Sequence, residues 1–170
     1  LPLGYDHKYV YSHFGYNLKV TDMQAAIGCA QLQKLPGFVE ARRRNFAYLS
    51  ERLQCVREYF ILPEVCENSE PSWFGFMITC RESVDKNKVV RYLEENGIQT
   101  RMLFAGNLTK QPCFDEMRKT GVGYRIVGEL TNTDHIMENT FWIGVYPGMT
   151  TEMLNYMVEK ITETVSMPCD

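Results

Sequence analysis

The chain has 170 residues, 45% of them hydrophobic and 23% charged, with a formal net charge of −3. That length holds one domain or a large part of one, and the apolar fraction suffices for a buried core. There is no basic excess to hold nucleic acid and no run of about 18 apolar residues to span a bilayer, so the expectation is a soluble cytoplasmic domain.

The opening stretch, residues 1–20, reads as an aromatic-rich loop carrying Tyr5, Tyr9, Tyr11, Phe14 and Tyr16. It has no initiator Met, basic n-region or apolar h-region, and the expectation is the C-terminal portion of a longer protein. Thr21-Asp22-Met23-Gln24 then forms a capping box, in which the Thr and Gln side chains satisfy each other's orphan backbone donors. Ala25, Ala26 and Ala30 favour the helix that follows. Pro36-Gly37 is expected to stop or kink it, with a second helix from about Phe38 to Gln54 burying Val39, Phe46, Leu49 and Leu53. The run Arg42-Arg43-Arg44 reads as a solvated or ion-paired helix face.

A polar loop spans Pro63 to Pro71, and Trp73 to Cys80 reads as a buried strand. Ser83 is the expected cap of a helix carrying Val89, Val90 and Leu93, which Gly97 ends in the left-handed conformation. Ile98 to Phe104 is a second strand; the pairing direction is left open. A Gly/Asn/Thr/Pro loop follows, with a short helix around Phe114 to Lys119 and one or two turns over Asp134 to Glu138. Thr140 to Tyr146 is the third strand, closed by Pro147-Gly148. A last helix from near Thr150 carries an apolar stripe of Leu154, Met157, Val158, Ile161 and Val165. These elements make a small α/β layer of few strands with helices packed on one face.

The six cysteines, Cys29, Cys55, Cys66, Cys80, Cys113 and Cys169, show no C-x-x-C or C-x-C spacing and read as free thiols rather than a disulfide framework or a local metal site. His7, His13 and His135 are scattered. No Rossmann glycine fingerprint, P-loop, zincin or nucleophile-elbow motif is present.

One motif is specific. Gly15-Tyr16-Asn17-Leu18-Lys19, followed by Thr21-Asp22-Met23-Gln24-Ala25-Ala26-Ile27-Gly28 and Ala30-Gln31-Leu32, resembles a signature of the pyridoxal-phosphate-dependent nucleotide-sugar aminotransferase and dehydrase family (the DegT/DnrJ/EryC1/StrS type), and Arg42 to Phe46 matches the basic helix after it. Within that family the likeness is greatest to the cytidine-diphosphate 4-keto-6-deoxyglucose 3-dehydrases of lipopolysaccharide O-antigen synthesis. It is carried by Gly4 to Tyr9, Thr100 to Thr109 and Glu138 to Gly148.

The resemblance covers essentially the whole chain. It implies the C-terminal small domain of a fold-type I pyridoxal-phosphate-dependent transferase, a few-stranded sheet with helices packed on it. It divides the chain into an active-site and dimer-contact loop (1–20), a long connecting helix with a break near 36 (21–58) and a small α/β domain (59–170). Family aminotransferases carry a His in the strand where this chain reads Trp73-Phe74-Gly75-Phe76. Phe74 can only pack and stack, which favours the dehydrase branch.

By motif, Asn17 and Lys19 are the expected contacts to the cofactor phosphate of a neighbouring subunit, a neutral amide donor and a cation. Phe74, Arg101, Phe104 and Asn107 are the expected substrate contacts, with Arg101 facing an anionic group. The resemblance implies pyridoxal or pyridoxamine phosphate and a two-iron, two-sulfur cluster in the full-length protein. It implies as partners a CDP-sugar substrate, a second copy of the chain and a separate electron-donating reductase. The residues that do the chemistry match nothing here, so no catalytic or metal-ligating residue is expected in this chain, and the chain alone is expected to be inactive and to bind neither group. A sugar aminotransferase of the same family and a non-catalytic α/β interaction domain stay open as alternatives.

Overall fold

A computed structural model of the chain describes Tyr16 and residues 18–166. The chain divides into two units, Leu1–Leu35 and Pro36–Asp170. In the first, the expected capping box forms: the Thr21 N–H donates to Gln24 Oε1 at 3.0 Å, and the Gln24 N–H donates to Thr21 Oγ1 at 3.3 Å. It opens α1 (Asp22–Arg52), a helix of 31 residues. Met23, Ile27 and Leu32 on its first turns are exposed.

The expected break near residue 36 does not appear, because α1 stays helical through Pro36. Proline removes one backbone donor and crowds the preceding turn. Alanine-rich turns before it and packing after it outweigh that local cost. Ala41, Asn45, Phe46 and Leu49 are all buried, and burial of such a face is what stabilises most protein helices. A 3-10 turn, Leu53–Val56, extends the packed face.

The second unit is built on a four-stranded sheet of β1 (Phe60–Ile61), β2 (Gly75–Cys80), β3 (Thr100–Met102) and β4 (Thr140–Gly144), ordered β1-β2-β4-β3. Every neighbouring pair is antiparallel. β2 and β3 therefore run the same way, and β4 is inserted between them. β1 was not legible in the sequence, since two residues carry no period. The other strands are shorter than expected: Trp73 and Phe74 precede β2, and Phe104 lies beyond β3.

Cross-strand partners share a face. Phe76 pairs with Ile143, and Ile78 with Phe141. These four are fully buried, in one core with Leu49 and Leu53, with Val89 and Leu93 of α2 (Lys86–Glu95), and with Leu154 and Ile161 of α5 (Thr151–Ser166). Leu154 and Ile161 belong to the predicted α5 stripe, which is core as expected: Met157 is buried with them, and Val158 and Val165 pack half-buried against the same cluster. Burying each such side chain contributes on the order of 1.5–3 kcal/mol. The opposite face carries Gly75, Met77, Thr79, Arg101 and Trp142.

The cap of α2 is Asp85, not Ser83. Asp85 Oδ1 accepts from the N–H groups of Asn87 at 2.8 Å and Lys88 at 3.2 Å. A turn closed by the Val84 N–H on the Arg81 carbonyl (2.9 Å) carries the chain past Ser83 before the helix begins. A carboxylate also complements the helix N-terminus better than a hydroxyl. The C-terminal end is as expected. Gly97 adopts φ +74, the Gly97 N–H reaches the Glu94 carbonyl at 3.0 Å, and the Ile98 N–H reaches the Leu93 carbonyl at 2.9 Å, a Schellman motif. Two further helices, α3 (Asp115–Thr120) and α4 (Thr131–Asn139), complete the chain order, α4 beginning three residues before the expected turns. No helix among the described residues is long and apolar enough to cross a membrane.

Candidate functional site

The open sheet face is organised around Trp142. The strand period turns Phe141 and Ile143 into the core and Trp142 away from it. Register places Trp142 between Met77 on β2 and Arg101 on β3. The indole lies over Gly75: a Cβ at position 75 would meet Trp142 Cε3 at 2.5 Å. Its N–H donates to the Met102 carbonyl at 3.2 Å, which fixes the ring plane.

Two aromatic side chains meet that ring. Phe74 stands edge-on, with centroids 5.3 Å apart and planes at 86°. Phe104 lies at 6.4 Å and 42°. With Met77 and Leu103 these rings wall a cleft of about 190 Å³. Phe104 is 72% exposed and has φ +49, a conformation bulky residues rarely adopt. Its N–H closes a tight turn on the Met102 carbonyl at 2.7 Å, which forces the chain around directly after the edge strand.

On the other side of Trp142 lies a larger cleft of about 490 Å³, bordered by Arg101, Tyr146, Met149, Met153 and Tyr156. Arg101 is exposed, and none of the ion pairs among the described residues involves it. With its amide turned to match, Gln99 accepts from the Arg101 guanidinium at 2.8 and 3.1 Å. The start of β3 is latched to α2, because Glu94 Oε1 accepts from the Thr100 N–H at 2.6 Å and from its hydroxyl at 2.7 Å. These two bonds, the backbone one first, hold the Glu94 carboxyl below the usual carboxylate range.

The predicted residues are thus not all brought together. Phe74 and Phe104 share one cleft, and Arg101 borders its neighbour across the indole. Asn107 is 2% exposed and occupied within the chain: its Nδ2 donates to Asp134 Oδ1 at 2.7 Å, and its Oδ1 accepts from the Thr109 N–H at 3.1 Å and hydroxyl at 2.7 Å. Lys110 also pairs with Asp134, at 2.8 Å. Lys110 first and Asn107 second hold the Asp134 carboxyl low. Asn107 therefore shapes the loop. Lys19 is exposed and belongs to the other unit, and Asn17 lies outside the described residues.

Trp142, which borders both clefts, was not among the residues picked out from the sequence. A signal was available, since a Trp between Phe141 and Ile143 in a strand must face away from their core.

Five cysteines fall among the described residues, all free thiols: Cys80 is buried, and Cys29, Cys55, Cys66 and Cys113 are exposed. Among the described residues no group of three His, Cys, Asp or Glu side chains could hold a metal ion. These residues do not fit an iron–sulfur cluster.

The family model that matches residues 3–162 describes the DegT/DnrJ/EryC1/StrS aminotransferase family. The chain is 59% identical, over 96% of its length, to the lipopolysaccharide biosynthesis protein RfbH of Salmonella typhimurium strain LT2, of which it covers 37%. It is 48% identical, over 98% of its length, to the dTDP-4-dehydro-2,6-dideoxy-D-glucose 3-dehydratase of Saccharopolyspora spinosa, of which it covers 35%. The crystal structure of a GDP-4-keto-6-deoxymannose-3-dehydratase with a trapped PLP-glutamate geminal diamine superposes with a TM-score of 0.77 over 91% of this chain and 39% of that one, at 26% identity. The chain thus spans little more than a third of the length of each.

Proposed function

The chain belongs to the DegT/DnrJ/EryC1/StrS aminotransferase family, and on that premise we propose that it forms the C-terminal part of a pyridoxamine-phosphate-dependent CDP-4-keto-6-deoxy-D-glucose 3-dehydrase, acting in 3,6-dideoxyhexose and lipopolysaccharide synthesis. The observation that carries this reading is the 59% identity to RfbH, a protein named for lipopolysaccharide biosynthesis, along nearly the whole chain. The 48% identity to a sugar 3-dehydratase supports deoxygenation over amino transfer. So does Phe74, which meets Trp142 edge-on and has no proton to give or take.

In this reading residues 1–20 are a loop reaching the active site of the second subunit, residues 21–58 connect, and residues 59–170 are the small domain walling the substrate pocket. The described residues fit the anionic end of a pyridoxal-type cofactor: Lys19 presents an exposed cation three residues ahead of a 31-residue helix, whose N-terminus also favours negative charge. Lys19 and Asn17 are the residues that hold the phosphate. The bound cofactor supplies the amine and the electron sink of the reaction. This chain's own part is to bind and orient: Arg101 faces an anionic group of the sugar nucleotide, and the Phe74–Trp142–Phe104 face packs on the sugar and keeps water out. No substrate role is assigned to Asn107. A homodimer and a separate reductase as electron donor belong to the same reading, and an iron–sulfur cluster has its ligands outside the described residues.

The test is to incubate the full-length polypeptide with pyridoxamine phosphate, a reductase with a reduced nicotinamide as its electron source, and CDP-4-keto-6-deoxyglucose, and to analyse the sugar by mass spectrometry. Loss of the C3 oxygen is the expected outcome. Transfer of an amino group from glutamate, with C3 untouched, would replace this reading by an aminotransferase.

A further inference from the structure

The cleft between Phe74 and Phe104 has a chemistry of its own. Its walls are Trp73, Phe74, Gly75, Met77, Leu103, Phe104 and Trp142. They offer no side-chain hydroxyl, amide or charge. The one polar atom of Trp142, its indole N–H, is committed to the Met102 carbonyl at 3.2 Å, and the indole nitrogen of Trp73 is closed off from solvent. At about 190 Å³ the cleft is smaller than the roughly 300–1,000 Å³ that encloses a whole drug-sized ligand, so it suits one part of a larger molecule.

Two features give the cleft its shape. Position 75 lacks a side chain where any Cβ would strike the Trp142 ring at 2.5 Å. Phe104, a bulky residue, is held at φ +49 with its ring 72% exposed beside the indole. An unfavourable backbone conformation that displays an aromatic ring at the mouth of a cleft is the kind of strain found at ligand clamps.

We propose that this cleft reads the C6 end of the sugar, accepting the methyl group and apolar ring face of a 6-deoxyhexose and disfavouring a C6 hydroxyl. The inference rests on the nucleotide-sugar reading above and deepens it. A methyl group placed among these rings loses no hydrogen bond on leaving water. A hydroxyl there loses its water partners and finds none on the side chains, a cost that discriminates by about 10- to 100-fold.

The experiment is calorimetric titration of the full-length polypeptide with paired ligands differing only in the C6 oxygen: the CDP, dTDP and GDP esters of 6-deoxyglucose and of glucose. The expected result is about 10- to 100-fold tighter binding of the 6-deoxy member of the pair carrying the recognised nucleotide. Phe74→Ser, which places a hydroxyl in the wall, and Phe104→Ala, which opens the mouth, are each expected to bring that ratio toward unity. Circular dichroism checks that Phe74→Ser is folded; if it is not, Phe104→Ala, at a position 72% exposed, decides alone. Equal binding of the two members by the natural protein overturns the inference, as does a ratio that survives in the folded variants, while the nucleotide-sugar reading stands. Failure to bind any of the six ligands overturns that reading, and the inference with it.

Discussion

Trp142 and Gly75 occupy one site between them: the indole of the first fills the space into which a side chain on the second would project, 2.5 Å from Cε3. The indole cannot swing away without losing its bond to the Met102 carbonyl and its edge contact with Phe74. Gly75→Ala is therefore expected to destabilise the protein by about 1–3 kcal/mol, the usual cost of overpacking. Trp142→Ala should relieve that clash, so the double variant should be more stable than the sum of the single effects implies. Urea unfolding of the four proteins measures the coupling, and strict additivity would show that the two residues do not compete.

Phe141 and Phe104 are both aromatic and lie close to Trp142, yet opposite outcomes are expected from their truncation. Phe141 is fully buried in the sheet core, and Phe141→Ala should cost about 3–5 kcal/mol. Phe104 is 72% exposed, and Phe104→Ala should change stability by no more than about 0.5 kcal/mol. Thermal unfolding separates the two. A large loss for Phe104→Ala would make its ring a structural element rather than a ligand contact.

Asp85 is the cap of α2, and Ser83 is not. Asp85→Ala removes the acceptor of two backbone N–H groups and should cost about 1 kcal/mol, within a range of 0.5–2. Ser83→Ala should fall within about 0.5 kcal/mol of zero. Equal effects, read from denaturant midpoints, would mean that the helix starts elsewhere.

The Cys80 thiol is pushed up to about 12 by burial, from an ordinary value of 9.0. Mass-spectrometric mapping after alkylation at pH 8 should find Cys80 unmodified in the folded protein and modified in denaturant, while the exposed Cys29, Cys55, Cys66 and Cys113 react in both. The folded state keeps this proton more tightly than the unfolded state does. The associated stability is thus complete below pH 9 and declines as pH rises from 9 toward 12. Rapid labelling of Cys80 under native conditions would contradict its burial.

The carboxyls of Glu94 and Asp134 behave with the opposite sign. Both are held below their ordinary values of 4.5 and 3.8, Glu94 by the Thr100 N–H and hydroxyl and Asp134 by Lys110 and Asn107. Their stabilisation is present above those values and lost as pH falls through the lowered ones. Amide hydrogen exchange in residues 100–111, which these carboxyls tether, is expected to accelerate relative to the β2–β4 core as pH drops below about 4, once the intrinsic pH dependence is removed. Parallel changes in both regions would show that the tethers are not local.

Features set by neighbours in the chain were legible in the sequence. The Thr21–Gln24 capping box, the left-handed Gly97 and the α5 stripe through Leu154 and Ile161 depend on offsets of one to four residues, and each formed as read. The family signature around residues 15–32 is likewise a matter of order along the chain. Features set by distant partners were not legible. Whether Pro36 ends a helix depended on what the following turns pack against, and the pairing of Phe60 with Cys80 depended on a strand twenty residues away. Asn107 reads as a ligand-facing loop residue until Asp134 is brought to 2.7 Å from its amide. Trp142 gains its place only when register sets β4 between β2 and β3 and lays the indole on Gly75. The physical reason is common to all of these: backbone propensity and capping act over one turn, whereas burial, register and steric exclusion exist only once segments far apart in sequence share a surface.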